Sequence, residues 1–284
     1  MNKKQLRKER IKQKIKEFCL FDDVFMTKVF EEDTECIQTV LRKLLDKPDL
    51  LVQNVNTQYA IQNIQGRSIR LDIKATDSLN RLYNIEFQNE DSGAIPERAR
   101  YYSAVIDANL LEPGENLNML PETYVIFITR NDVLKSGLPI YHIDRRIEET
   151  GKAFGDRAHI VYVNGAYRDS TPIGLLIQDF ACKDPEQVHD DILRSRMRYL
   201  KTTQEGEEAM GTGIDDLIEE GREVGRKEGR KEGRKEGREV GRKEGCEEVV
   251  INLLKQGKLD DSQIAIVANM TLEDIEKLKK EIGR

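Results

Sequence analysis

The sequence of 284 residues predicts an α/β fold: a mixed sheet flanked by helices, then a charged glycine repeat and a small helical C-terminal unit. Three observations predict it. The segments "TYVIFITR" (123–130) and "AHIVYVNG" (158–165) are continuous apolar runs of strand length, the pattern of strands covered on both faces. Three further strand-like runs precede them, set between segments with helical spacing. After residue 201 the composition changes to charged residues and regularly spaced glycine.

The elements follow in order. Residues 1–17 form a basic arm, or a polar helix, with Lys3, Lys4, Arg7, Lys8, Arg10, Lys12, Lys14 and Lys16 against Glu9. Within 21–46, Ile37, Val40, Leu41, Leu44 and Leu45 recur at three- and four-residue steps, the spacing of a helix with one buried face. Asp33 or Thr34 is placed to cap it and Pro48 to stop it. Three strands come next: "YAIQNIQ" (59–65), ending at Gly66, then "SIRLDIKAT" (68–76) and "RLYNIEFQN" (81–89). "AIPERARYYSAVIDANLL" (94–111) reads as a helix broken at "EPGEN". After the two apolar strands, "IGLLIQDFAC" and "VHDDILRSRMRYLK" are helical. The order α-β-β-β-α-β-β-α defines one domain over 18–205.

Residues 206–246 read as a linker or marginal helix. From Gly221 to Gly245 the chain repeats every four residues as GRKE or GREV. Arg, Lys and Glu favour helix, whereas each interior Gly costs roughly 1 kcal/mol relative to Ala. Like charges fall at i+4; relief comes at i+3, where Glu228 meets Lys231 and Glu232 meets Lys235. The charged surroundings exclude a membrane-type glycine zipper. Residues 247–284 regain apolar periodicity, with Val249, Val250, Leu253 and Leu254 on one helix, a stop at Gly257, and two short helices, the last capped by Thr271 with Asp274 three residues on. That rhythm fits a helix-turn-helix reader of DNA and, more readily, a plain helical cap or dimerisation tail.

Composition narrows the function classes. Charged residues make up 35% and the net charge is -6, so nucleic-acid binding would have to rest on local basic patches. Cys19, Cys36, Cys182 and Cys246 form no CxxC pair, and His142, His159 and His189 are scattered, which argues against a zinc site. Free thiols in a reducing, cytoplasmic setting are the expectation. No apolar run reaches membrane-spanning length, and no apolar signal region follows the basic start.

The chemistry concentrates in "RLDIKATDSLNRLYNIEFQNED" (70–91). Alternation puts Ile69, Leu71 and Ile73 on one side of the first strand, and Arg70, Asp72 and Lys74 on the other. Glu86 and Gln88 share a side of the next strand. If Ser78, Leu79 and Asn80 form the turn, Asp72 falls opposite Glu86, with Cβ atoms about 4.5–5.5 Å apart. Facing carboxylates repel unless one holds a proton or a cation lies between them. Carboxylate oxygens suit Mg²⁺ or Mn²⁺. The alternative is a half-exposed sheet with Asp72 and Glu86 balanced by Arg70 and Lys74.

Asp72 followed by Glu86-Phe87-Gln88 on the next strand resembles the core of the PD-(D/E)XK nucleases, in which an Asp and an E-x-K on neighbouring strands bind metal. With "RARYY", "HIVYVNGAY" and the charged glycine repeat, the stretch from about 18 to 210 is similar to the transposase-related branch, the recombination-promoting nucleases. The resemblance implies a restriction-endonuclease-like core with Asp72 and Glu86 as metal ligands, and a third acid on the N-terminal helix. Glu35 fits that place by position, with Glu31 and Glu32 as competitors. Gln88 stands where the wider superfamily has lysine, as is known in this branch. A neutral amide orients water but carries no charge, so Lys74 is a candidate to supply one. Arg98, Arg100, Tyr101 and Tyr102 are candidates for contacting DNA phosphates, or form an ordinary helix face. The basic arm either tracks phosphates or is a solvated helix extension.

The expected activity is a Mg²⁺- or Mn²⁺-dependent DNA endonuclease, associated with recombination or mobile elements, forming a homo-oligomer through the repeat or the helical tail. The alternative is a nucleic-acid-binding protein that keeps the nuclease fold with weak or no catalysis.

Overall fold

The computed structural model describes residues 3–63 and 66–281. Contacts divide the chain into two units, residues 1–216 and 217–284. In the first, helices α1 (Lys3–Glu17), α2 (Asp23–Phe30) and α3 (Thr34–Leu45) precede strands β1 (Val52–Ile61), β2 (Ile69–Asp77) and β3 (Leu82–Gln88). Helix α4 (Pro96–Ala108), strands β4 (Thr123–Thr129), β5 (Ile140–Ile143) and β6 (Ala158–Asn164), and helices α5 (Pro172–Ala181) and α6 (Asp191–Thr202) follow. The sheet is mixed, in the order β1-β2-β3-β4-β6-β5, with β3, β4 and β6 parallel and the outer pairs antiparallel.

The apolar runs explain the layers. Every residue of β4 is buried. Val125 and Phe127 meet the α4 residues Ala99, Tyr102, Val105 and Ile106, while Tyr124, Ile126 and Ile128 meet the cluster built from α2, α3, α5 and α6. A strand sandwiched between helices needs no polar face, which is why its alternation is invisible in sequence.

Several expectations are corrected. β1 begins at Val52 and ends at Ile61, well before Gly66. Its Asn- and Gln-rich start has poor strand propensity, and pairing with β2 decides the matter; Ile64 and Gln65 lie outside the described residues. β5 was not foreseen, being a short, exposed edge strand. Asp33, not Thr34, caps α3, accepting from Cys36 N–H, and the helix ends at Asp46 in the left-handed region (φ 50°), ahead of Pro48. The basic arm is helix α1, docked through buried Ile15 and the adjacent Ile11 rather than free. Among the described residues no helix is long and apolar enough to cross a membrane.

Helix α7 (Gln204–Gln256) carries the glycine repeat. Met210 and Ile214 are buried in the first unit's core, so that unit extends beyond the expected boundary at residue 205. In the second unit, Val250 and Leu254 of α7 pack with Ile264 and Ala265 of α8 (Asp261–Ala268) and Ile275 and Leu278 of α9 (Leu272–Glu281). Asp260 and Gln263 make a reciprocal capping box before α8. The side chains of Glu228 and Lys231, an expected i+3 pair, lie outside the described residues.

A Cβ on Gly225, Gly229 or Gly233 would meet nothing within 4 Å. These glycines therefore carry the entropic cost of a flexible residue without packing to offset it. Gly229→Ala is expected to stabilise the helix locally by about 0.8–1 kcal/mol. Amide hydrogen exchange around residue 229 should slow roughly four- to fivefold; unchanged or faster exchange would contradict a helix free of packing there.

Candidate active site

The hairpin β2–β3 is fixed by its turn. Asp77 N–H donates to Arg81 O at 3.2 Å across Ser78, Leu79 and Asn80, with Asn80 in the left-handed region at φ 57°. The buried Asp77 carboxylate accepts from Leu79 N–H, Arg81 N–H, Arg81 Nε and the Tyr83 hydroxyl. The arginine and these hydrogen bonds outweigh burial and hold its pKa below the ordinary range. This acid is structural. It locks the register Thr76↔Leu82, Ala75↔Tyr83, Lys74↔Asn84 and Ile73↔Ile85. One step further, the same register sets Asp72 opposite Glu86.

There the backbone ladder gives way to side chains. Asp72 N–H donates to Glu86 Oε1 at 3.2 Å, and Phe87 N–H donates to Asp72 Oδ2 at 3.0 Å. Each acid thus accepts an amide from the other's strand, which explains how two carboxyls sit among Leu, Ile and Phe. On the far side of β2, Gln58 of β1 lies beside Asp72 in the left-handed region (φ 52°), and the paired register skips it. Such a conformation is strained for a non-glycine residue; Gln58 Nε2 is held by Asp23 Oδ1 at 2.9 Å and Thr27 Oγ1 at 3.3 Å.

Beyond this kink the faces exchange. Ile73 and Ala75 join the cluster under α2 and α3, whereas Ile69 and Leu71 join the α4 cluster. Simple alternation, which placed Ile69, Leu71 and Ile73 on one side, fails at residue 72.

The electrostatics follow from burial. Glu86 is fully buried. Desolvation pushes its pKa well above the carboxylate range, with the Asp72 charge second; the Asp72 N–H, Arg98 and Asn84 oppose this. Asp72 is also raised, by burial first and then by Asp23, against the Phe87 N–H, Arg98 and Arg70. Two buried acids in contact hold on to a proton that isolated carboxyls would have lost.

The remaining predicted residues divide. Gln88 adjoins the pair: Arg98 Nη1 donates to its Oε1 at 3.4 Å, and a Cβ on Gly93 would stand 2.1 Å from that same oxygen. Arg98, expected at DNA phosphates, turns inward. Its Nη2 lies 3.4 Å from Glu86 Oε2 and 2.8 Å from the Tyr102 hydroxyl, with the guanidinium over the Tyr102 ring. Lys74, expected to supply charge, instead places Nζ 4.1 Å from the centre of the Tyr59 ring. Arg98 takes its place beside the acids because it reaches them from α4, an approach strand parity cannot reveal. Arg100 is exposed. The Tyr101 hydroxyl donates to Arg67 O.

Glu35 stands exposed in the first turn of α3, and its charge is not among the influences on Asp72 or Glu86 given above. Glu31 is paired with Lys28. The helix-borne acid whose charge reaches Asp72 is Asp23, at the start of α2. Sequence reasoning missed it. An acid at a helix N-terminus reads as a capping or dipole preference, and only the tertiary fold brings that terminus to Gln58 and Asp72.

Among the described residues no group of three His, Cys, Asp or Glu side chains is arranged to hold a metal ion. The residues present nevertheless fit one. Asp72 and Glu86 offer hard oxygen ligands from adjacent strands, their raised affinity for a proton is an affinity a cation can satisfy, and the buried Asn84 side chain next to Glu86 has both polar atoms unpartnered.

The sequence model of the PD-(D/E)XK nuclease family transposases matches residues 20–166. No curated protein and no solved structure matches the chain.

Proposed function

Since the chain belongs to the PD-(D/E)XK nuclease family transposases, we propose that it is a metal-dependent DNA endonuclease acting in recombination or on mobile elements. The reciprocal pairing of Asp72 and Glu86 carries this reading: a sheet that only needed to fold would fill those positions with apolar residues. Asp72 and Glu86 would hold Mg²⁺ or Mn²⁺. When bound, such an ion polarises a phosphoryl oxygen and makes its water a stronger nucleophile near neutral pH.

The protein's own groups do the rest. To hold the cation, Asp72 and Glu86 would have to give up the proton that burial and their mutual repulsion favour. Gln88 spends its Oε1 on Arg98, which leaves its Nε2 hydrogens to orient a water or phosphate oxygen. Arg98 balances the charge of Glu86 and presents a planar donor set suited to phosphate. Arg100 and Tyr101, with Lys12, Lys14 and Lys16 of α1, are proposed to meet the DNA backbone outside the site.

A neutral Gln88, with Lys74 held on Tyr59, favours a second reading in which the protein binds nucleic acid without cutting it. Supercoiled plasmid with purified protein separates the two. Nicking in Mg²⁺ that EDTA and Asp72→Asn both abolish supports the nuclease; retained binding with no nicking supports the alternative. Nicking that survives Asp72→Asn defeats the proposed site.

Gly93 gives a finer test. Its missing Cβ is the space that Gln88 Oε1 occupies, so Gly93→Ala must swing the amide away. Cleavage is expected to fall by about 10²-fold, as for a group misplaced by about 1 Å, while thermal stability holds, because the displaced atom ends a flexible side chain. Wild-type cleavage rates in Gly93→Ala would remove Gln88 from the mechanism.

A further inference from the structure

Asn84 is fully buried, and neither its Nδ2 nor its Oδ1 has a hydrogen-bond partner. Buried side-chain amides are nearly always satisfied, so an amide left with nothing marks a site whose partner is supplied in another state. Asn84 lies two residues before Glu86 on β3, hence on the same side of that strand. Its amide faces Glu86 from beyond normal hydrogen-bond length, near enough to act on that acid as a weak donor that favours the charged form. Its other surroundings offer little. Its register partner Lys74 rests its ammonium on Tyr59. On the other flank stands Val125 of β4, and the α4 side of the strand is apolar.

We propose that Asn84 is a positioning residue for Glu86, with its bond kept in reserve for the metal-loaded state. In the metal-free protein both Glu86 oxygens are engaged, Oε1 by the Asp72 N–H at 3.2 Å and Oε2 by Arg98 at 3.4 Å. Both contacts are long for charge-assisted hydrogen bonds, so the carboxylate is loosely held. Were a cation to draw the carboxylate off that amide, the Asn84 Nδ2–H would be the adjacent donor able to hold it. Groups that orient a ligating carboxylate from behind alter metal affinity by about 10–100-fold. The cost is carried by the metal-free protein, which keeps an unsatisfied amide in its interior.

This inference rests on the metal-site reading above, and the test separates the two. Mn²⁺ binding is measured by electron paramagnetic resonance, and metal-free thermal stability by calorimetry, for full-length wild type, Asp72→Asn, Asn84→Leu and Asn84→Ala. Asn84→Leu is expected to bind Mn²⁺ at least about tenfold more weakly while its metal-free melting temperature holds or rises, because the unpaired amide is gone. Asn84→Ala, which opens room for a water to act as donor, should bind Mn²⁺ more tightly than Asn84→Leu. It also carries the affinity comparison if the leucine variant fails to fold. Wild-type Mn²⁺ affinity in both Asn84 variants, with binding lost in Asp72→Asn, overturns the role of Asn84 and leaves the metal site standing. In an Asn84→Leu variant that folds, a lowered metal-free melting temperature also overturns it, since the amide would then be bonded without metal. Failure of the wild type to bind Mn²⁺ overturns both.

Discussion

Asp72→Asn is expected to abolish cleavage while leaving the metal-free protein as stable as wild type or more so. Asparagine keeps an oxygen for the Phe87 N–H, which now donates to Asp72 Oδ2 at 3.0 Å. What disappears is a charge beside Glu86, whose pKa is raised by burial first and by Asp72 second. Relief of that conflict is worth on the order of 1 kcal/mol, a rise of roughly 2–4 °C in melting temperature for a domain of this size. Catalysis moves the other way. Loss of a ligand to the ion that stabilises the phosphoryl charge removes several kcal/mol, roughly a 10³-fold fall in rate. Plasmid nicking and calorimetry on one preparation check both. A melting temperature that collapses along with activity would show Asp72 to be structural, as Asp77 is.

Stability should depend on pH in a direction opposite to that of ordinary surface acids. Asp72 and Glu86 both have raised pKa values in the folded protein. Between the unfolded carboxylate range and those raised values, the native state binds more protons than the unfolded chain. Stability is then fullest at low pH within this window and is lost as pH rises through it. A pair retaining one extra proton gives a slope of up to about 1.4 kcal/mol per pH unit.

The comparison belongs between pH 5.5 and 7.5. Above it, buried Lys201, lowered to about 8 by desolvation, adds stability with rising pH. Below it, depressed acids such as Asp77 and Asp190 begin to protonate. Metal-free protein should therefore melt lower at pH 7.5 than at 5.5, and Asp72→Asn should flatten the difference. Mg²⁺ should raise the melting temperature more at 7.5, because a cation competes with the proton. A metal-free melting temperature that climbs across this window would exclude the shared proton.

Much of this was legible in the residues. The turn Ser78-Leu79-Asn80, the opposition of Asp72 and Glu86 and the interior strands β4 and β6 accord with local pattern, because parity keeps both acids on even positions and a turn at those three residues sets them opposite. Other features were not legible. Glu35 and Lys74 were plausible by position alone. Asp23 and Arg98 are long-range neighbours of the acids, brought in by α2 and α4, and nothing in their immediate sequence distinguishes them from a helix start and a helix surface. The kink at Gln58 was equally hidden, since a polar edge strand carries little apolar periodicity, and opposite it the alternation along β2 fails at residue 72.

The sequence by itself determined which two acids face one another, because side chains alternate along a strand and the hairpin is short. Only the tertiary structure decided what surrounds them: full burial of Glu86, an arginine from α4, an acid from α2 and an asparagine with no partner. Those depend on how helices pack across the sheet, where contacts form between residues far apart in the chain and desolvation, rather than local pattern, sets the chemistry.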